Sequence, residues 1–118
     1  MSGAEGAGFS FTRPERRDQL FGGSGFVLVE PLSGTLTKPF TTALLCELSP
    51  GGTVGVHVQQ TDTEIIIALA GEAVLYVDDS PHAVGPGRVV GLPLGARLSI
   101  DNASPTEPFR YLIVKARP

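Results

Sequence analysis

Turn-forming residues are spread along the whole 118-residue chain, and no segment between them keeps a helical period for three turns. Fifteen glycines and ten prolines alternate with short runs rich in Val, Ile, Leu, Thr and Phe, which recur at intervals of about 8 to 12 residues. A chain punctuated this way has room for many short strands and for little else. Strands are expected at Gly25–Glu30, Phe40–Leu48, Thr53–Gln59, Glu64–Leu69, Ala73–Val77, Val89–Leu92, Arg97–Asp101 and Phe109–Lys115. Ser49-Pro50-Gly51-Gly52 reads as a turn, and Asp78-Asp79-Ser80-Pro81 as the close of a hairpin. One or two helical turns are expected within Arg13–Leu20. Residues 1–8, small and glycine-rich, are expected to be disordered, and residues 9–118 to form one all-β domain.

The net charge of −3 and pI near 5.2 argue against a nucleic-acid partner, whose phosphates need a basic patch, and give no support for an anionic membrane surface. No apolar run approaches the roughly 20 residues that span a bilayer, and the first residues lack an apolar signal core. A single cysteine, Cys46, rules out an internal disulfide and fits a reducing compartment, so a cytoplasmic location is expected. Flanked by leucines, Cys46 reads as a small core residue. His82, Asp78 and Asp79 read as exposed turn chemistry, and Arg13, Arg16 and Arg17 as a solvated basic cluster.

The chemistry concentrates between Gly51 and Gly71, where His57, Gln59 and Glu64 fall close together on what reads as a short β-hairpin. Alternate residues of a strand share a face. His57 and Gln59 therefore share one face with Gly55, and Glu64 shares one with Ile66 and Ala68. Val54, Val56 and Val58, with Ile65, Ile67 and Leu69, would make one outward apolar patch, more than monomers usually expose. A homodimer is the expected cover. Leu98, with Ala96 and Ile100, would form an apolar wall opposite the polar trio. At least one of Tyr76, Phe109 and Tyr111 is expected to line the interior.

Two spaced motifs carry a resemblance. Gly51 is followed by five residues, His57, one residue, Gln59, four residues, Glu64, six residues and Gly71; then come Gly87, Pro93, Gly95, Leu98 and Asn102 at set intervals. This resembles the cupins, with Gln59 where the family's first motif has its second histidine and Leu98 where the second motif has its histidine. The resemblance covers about residues 40–115 and implies a double-stranded β-helix, the jelly-roll barrel. It also implies a metal centre in the members that keep three histidines and one glutamate, holding Fe, Mn, Ni, Zn or Cu. Their activities include dioxygenases, isomerases, epimerases, decarboxylases, cyclases and lyases. Other members have lost the metal and bind small molecules.

The residues themselves leave two readings open. In the first, the barrel binds a small organic ligand, with Gln59, Ile66, Ala68, Leu98 and Ile100 contacting it and no metal needed. In the second, His57, Gln59 and Glu64 weakly hold one divalent ion (Fe, Mn, Ni or Zn) and the barrel is an enzyme. His57 and Glu64 are also the candidate catalytic pair for a metal-free proton transfer, since burial would raise the Glu64 carboxyl.

Overall fold

The computed structural model describes residues 10–118; the expected disorder of residues 1–8 lies outside the described residues. Ten strands follow in order: β1 (Glu15–Asp18), β2 (Phe26–Pro31), β3 (Phe40–Leu48), β4 (Thr53–Val58), β5 (Thr63–Ala70), β6 (Ala73–Val77), β7 (Ser80–Val84), β8 (Val89–Leu92), β9 (Arg97–Asp101) and β10 (Phe109–Ala116), with a 3-10 turn at Leu20–Gly22. They form a six-stranded sheet, β1-β2-β3-β10-β5-β8, facing a four-stranded sheet, β4-β9-β6-β7. Every pairing is antiparallel.

The connectivity is that of one long hairpin rolled on itself. β3 pairs with β10, β4 with β9, β5 with β8 and β6 with β7, so the pairs nest around a single tip. At that tip Val77 pairs with Ser80, and Asp78 and Asp79 both take positive φ, 49° and 70°. This is the geometry of a two-residue turn that follows the strand twist, and Asp tolerates it better than most side chains. The result is a jelly-roll barrel. Among the described residues no helix is long and apolar enough to cross a membrane.

Three local expectations give way. Arg13–Leu20 is not helical: Glu15–Asp18 pairs with β2 as an edge strand. The ion pairs Arg16–Asp18 at 2.9 Å and Arg17–Glu15 at 3.2 Å join residues two apart, which share a face on a strand but not on a helix. Ser80–Val84 is a strand although it contains Pro81, because it lies at the free edge of its sheet, where a missing N–H costs no ladder bond. Finally, Gly51–Gly71 is not a hairpin. β4 and β5 lie in opposite sheets, and the chain crosses between them at residues 59–62.

That crossing also splits the expected outward patch. Val56 and Val58 are exposed on the four-stranded sheet, whereas Ile65 is exposed on the six-stranded one. Val54 turns inward instead and is buried. The cause is a β-bulge: Val54 pairs with Ile100 and His57 with Leu98, so three steps on β4 match two on β9. The extra residue breaks the alternation and lets Val54 and His57 face the same side.

The core joins both sheets, with Leu48, Leu75, Phe109, Ile66 and Tyr111 among the side chains packed at its centre. Asn102, 1% exposed, ties two loops together. Its Nδ2 donates to the carbonyls of Glu107 at 2.9 Å and Ser49 at 3.2 Å, and its Oδ1 accepts from the Ser104 N–H at 3.1 Å. Asn102→Ala would remove the side chain that joins the Ser49, Ser104 and Glu107 backbones and should cost about 1–3 kcal/mol, measurable by urea denaturation. A loss below about 0.5 kcal/mol, the level of an ordinary surface change, would show that the loops hold without it.

Candidate functional site

Between the sheets lies a cavity of about 310 Å³. β4 brings His57 to it, the crossing brings Gln59 and Asp62, and β5 brings Glu64; Val54, Leu98 and Ile100 line it from the same sheet as His57, beside that residue and not opposite the whole trio as expected. The trio expected from the sequence therefore does meet in one space, contributed by two sheets. Leu98, paired directly with His57, and Ile100 line the cavity as expected. Ile66 and Ala68 do not. They share the inward face with Glu64, but each is 1% exposed within the packed core, because the barrel fills with side chains below Glu64. Of the three aromatic candidates, Tyr111 reaches the cavity.

Among the contributors that went unseen in the sequence are Arg17, Phe21, Asp62 and Lys115. Lys115 was legible in principle, since it follows Tyr111 and Ile113 in the inward phase of β10. Arg17 and Phe21 arrive from a segment distant in the chain, and no local pattern announces them. Phe21 stacks on the His57 ring, with centroids 4.0 Å apart and planes 14° from parallel, yet it remains 55% exposed at the cavity mouth. Its backbone is left-handed, φ 53° and ψ 32°. Gly55 permits the approach: a Cβ there would stand 1.9 Å from the Phe21 carbonyl oxygen, far inside contact distance.

The protonation states follow from the surroundings. His57 Nδ1 lies 3.0 Å from the Gly55 carbonyl oxygen. A carbonyl only accepts, so Nδ1 carries the proton and Nε2 keeps its lone pair. Burial pushes the His57 imidazole below its ordinary value; the Gly55 bond opposes this and the Lys115 charge adds to it. Burial raises the Glu64 carboxyl, against the pull of Lys115 and with a push from Asp62. Asp62 is held low, first by the Thr41 hydroxyl that donates to it and also by Arg117, whose Nε lies 3.2 Å away. Burial pushes the Cys46 thiol up to about 12, so it stays a protonated, unreactive wall group.

The donor set does not fit a transition-metal centre. Among the described residues no three His, Cys, Asp or Glu side chains lie together as a metal cluster. Gln59 offers a neutral amide oxygen, a weak donor to such ions. Leu98 stands beside His57 on the neighbouring strand and offers no donor, and the Lys115 ammonium stands 4.0 Å from Glu64 Oε1, where a cation would compete with a metal for that carboxylate.

The sequence profile described as the cupin domain matches residues 44–115. The chain belongs to the cupin family. Among solved structures, a Thermotoga maritima protein described as a predicted oxalate decarboxylase is 27% identical, with a TM-score of 0.79 over 89% of this chain and 92% of that one. A cupin-2 conserved barrel domain protein from Salinispora arenicola is 30% identical, with a TM-score of 0.66 over 76% of this chain and 75% of that one. No curated protein sequence matches the chain. The cupin barrel is thus shared with its relatives, and the changes at Gln59 and Leu98 are set within that common frame.

An NMR titration should place the His57 midpoint below the ordinary 6.5. Because the unfolded imidazole binds its proton more readily, the His57 contribution to stability is present above that value and lost as the pH falls below it. Phe21→Ala should move the midpoint upward by readmitting water. A wild-type midpoint at or above 6.5 would contradict the described burial.

Proposed function

We propose that this cupin barrel is a metal-free receptacle for one small organic molecule, held by the polar group His57, Gln59 and Glu64 and by the apolar side chains of Leu98 and Ile100. The observation that carries this reading is Gln59. The residue is 6% exposed, and among the described residues no hydrogen bond closes on its side-chain amide. No fully enclosed side-chain polar atom there lacks a partner, so the Gln59 amide opens to the cavity. A buried amide whose donors and acceptor face an apolar-walled space is what a ligand-binding site presents to a polar guest.

A second reading is supported by the pair of shifted groups. His57 is held neutral with Nε2 free, and Glu64 is drawn toward its neutral acid. One base and one acid in the same water-poor cavity are equipped for proton transfer on a bound molecule. A metal-dependent enzyme, the other expectation, asks more of the donors than His57, Gln59 and Glu64 supply.

A thermal-shift screen of small organic molecules, followed by calorimetry on the hits, tests the proposal. Leu98→Phe, which fills the cavity from its apolar wall, should abolish binding while the barrel stays folded; undiminished binding would place the site elsewhere. For the metal, calorimetric titration with Zn²⁺ should show weak or no binding by the natural chain. The Gln59→His, Leu98→His double variant should bind at least about tenfold tighter, since it supplies two imidazoles. Tight stoichiometric binding by the natural chain would overturn the metal-free reading.

The homodimer also stands as a proposal, now confined to the outer face of the six-stranded sheet, where Phe40, Ile65 and Val89 are exposed. Ile65→Glu should convert a dimer to a monomer by analytical ultracentrifugation. An unchanged dimer would move the interface off that face.

A further inference from the structure

The cavity's charges are not equally engaged. Asp62 is satisfied by Thr41 and by Arg117. Arg17, which also reaches the cavity, is paired with Glu15 along β1 at 3.2 Å. Lys115 differs from both: its ammonium lies 4.0 Å from Glu64 Oε1, beyond hydrogen-bond distance, and among the described residues no hydrogen bond uses its three N–H donors. The register explains the position. Lys115 pairs with Glu64 on β5 and with Thr42 on β3, so its side chain leaves the middle of the wall in the inward phase of β10. Its side chain is 35% exposed, whereas that of Glu64 is 3% exposed. The ammonium is thus the outer, solvent-reachable member of the pair, on the side from which a guest enters.

Building on the ligand-binding reading above, we infer that the cavity selects small organic carboxylates, with Lys115 as the residue that anchors the anion. The Lys115 ammonium, ion-paired with Glu64 at 4.0 Å but beyond hydrogen-bond distance of it, is a compact point charge with donors to spare, and the Gln59 amide supplies a further N–H in the same cavity. The rest of the guest would lie along Val54, Leu98 and Ile100. A monoanion is the suitable charge. One ammonium faces Glu64 and, farther along, Asp62, so a dianionic phosphate would leave an excess of negative charge. Arg17, the other cation lining the cavity, is engaged with Glu15, and among the described residues no helix N-terminus of the sort phosphates favour lines it. His57, neutral with Nε2 free, adds an acceptor for a ligand hydroxyl and no competing positive charge.

Calorimetry on the full chain at pH 7 with phenylacetate, phenylacetamide and 2-phenylethanol tests this inference. These probes share one apolar body and differ in the anionic group. Phenylacetate should bind roughly tenfold or more tighter than its amide, the range of a charge-assisted contact. Lys115→Gln should erase that preference, Lys115→Arg should retain most of it, and Glu64→Gln, which removes the competing carboxylate, should strengthen phenylacetate binding. Circular dichroism of each variant checks that the barrel is intact. Equal binding of acid and amide, or a preference that survives Lys115→Gln, would overturn the carboxylate inference and leave the ligand-binding reading standing. Failure of all three probes to bind at millimolar concentration would overturn both.

Discussion

The passage of the chain from one sheet to the other at residues 59–62 sets the character of this protein. Because the strands nest as a rolled hairpin, β4 must end in the four-stranded sheet and β5 begin in the six-stranded one. His57 and Glu64, seven positions apart in the sequence, are thereby carried on opposing layers with a cavity between them. A flat hairpin would have placed both on one surface in contact with water. The crossing encloses them, and enclosure shifts both groups: the imidazole loses affinity for its proton and the carboxyl gains it.

The ionisable groups enclosed in the barrel are matched by protein partners. Lys115 gives Glu64 a counter-charge at 4.0 Å, the Gly55 carbonyl fixes the His57 tautomer, and Arg117 with Thr41 holds Asp62. Each ionisable group has a protein neighbour that bears part of its desolvation cost. Gln59 is left facing the open space. On the metal-free reading proposed above, Lys115 supplies the charge that would balance Glu64.

Much of this was legible from spacing and parity. The two motifs located the barrel, and strict alternation on β5 correctly turned Glu64 inward. The same alternation failed on β4, where the bulge beside Gly55 brings Val54 in with His57; one inserted residue inverts a parity argument, and the glycine inside the strand is its one local mark. Glu64, Ile66 and Ala68 were correctly placed on one face, yet parity gives no depth, and only Glu64 lies where the barrel is still hollow. Phe21 and Arg17 depend on a close backbone approach between segments over thirty residues apart in the chain, with Phe21 resting on Gly55. Gly55 marks that some backbone comes close to β4, but which segment does so is a property of the assembled barrel.

The most direct test of the account is a native mass spectrum of the tag-free protein, recorded before and after treatment with a strong chelator. A metal-free receptacle predicts a subunit mass that chelation leaves unchanged, free of metal, with any extra mass belonging to an organic guest that leaves on mild activation. A stoichiometric metal adduct that chelation strips away, accompanied by a fall in melting temperature, would contradict it.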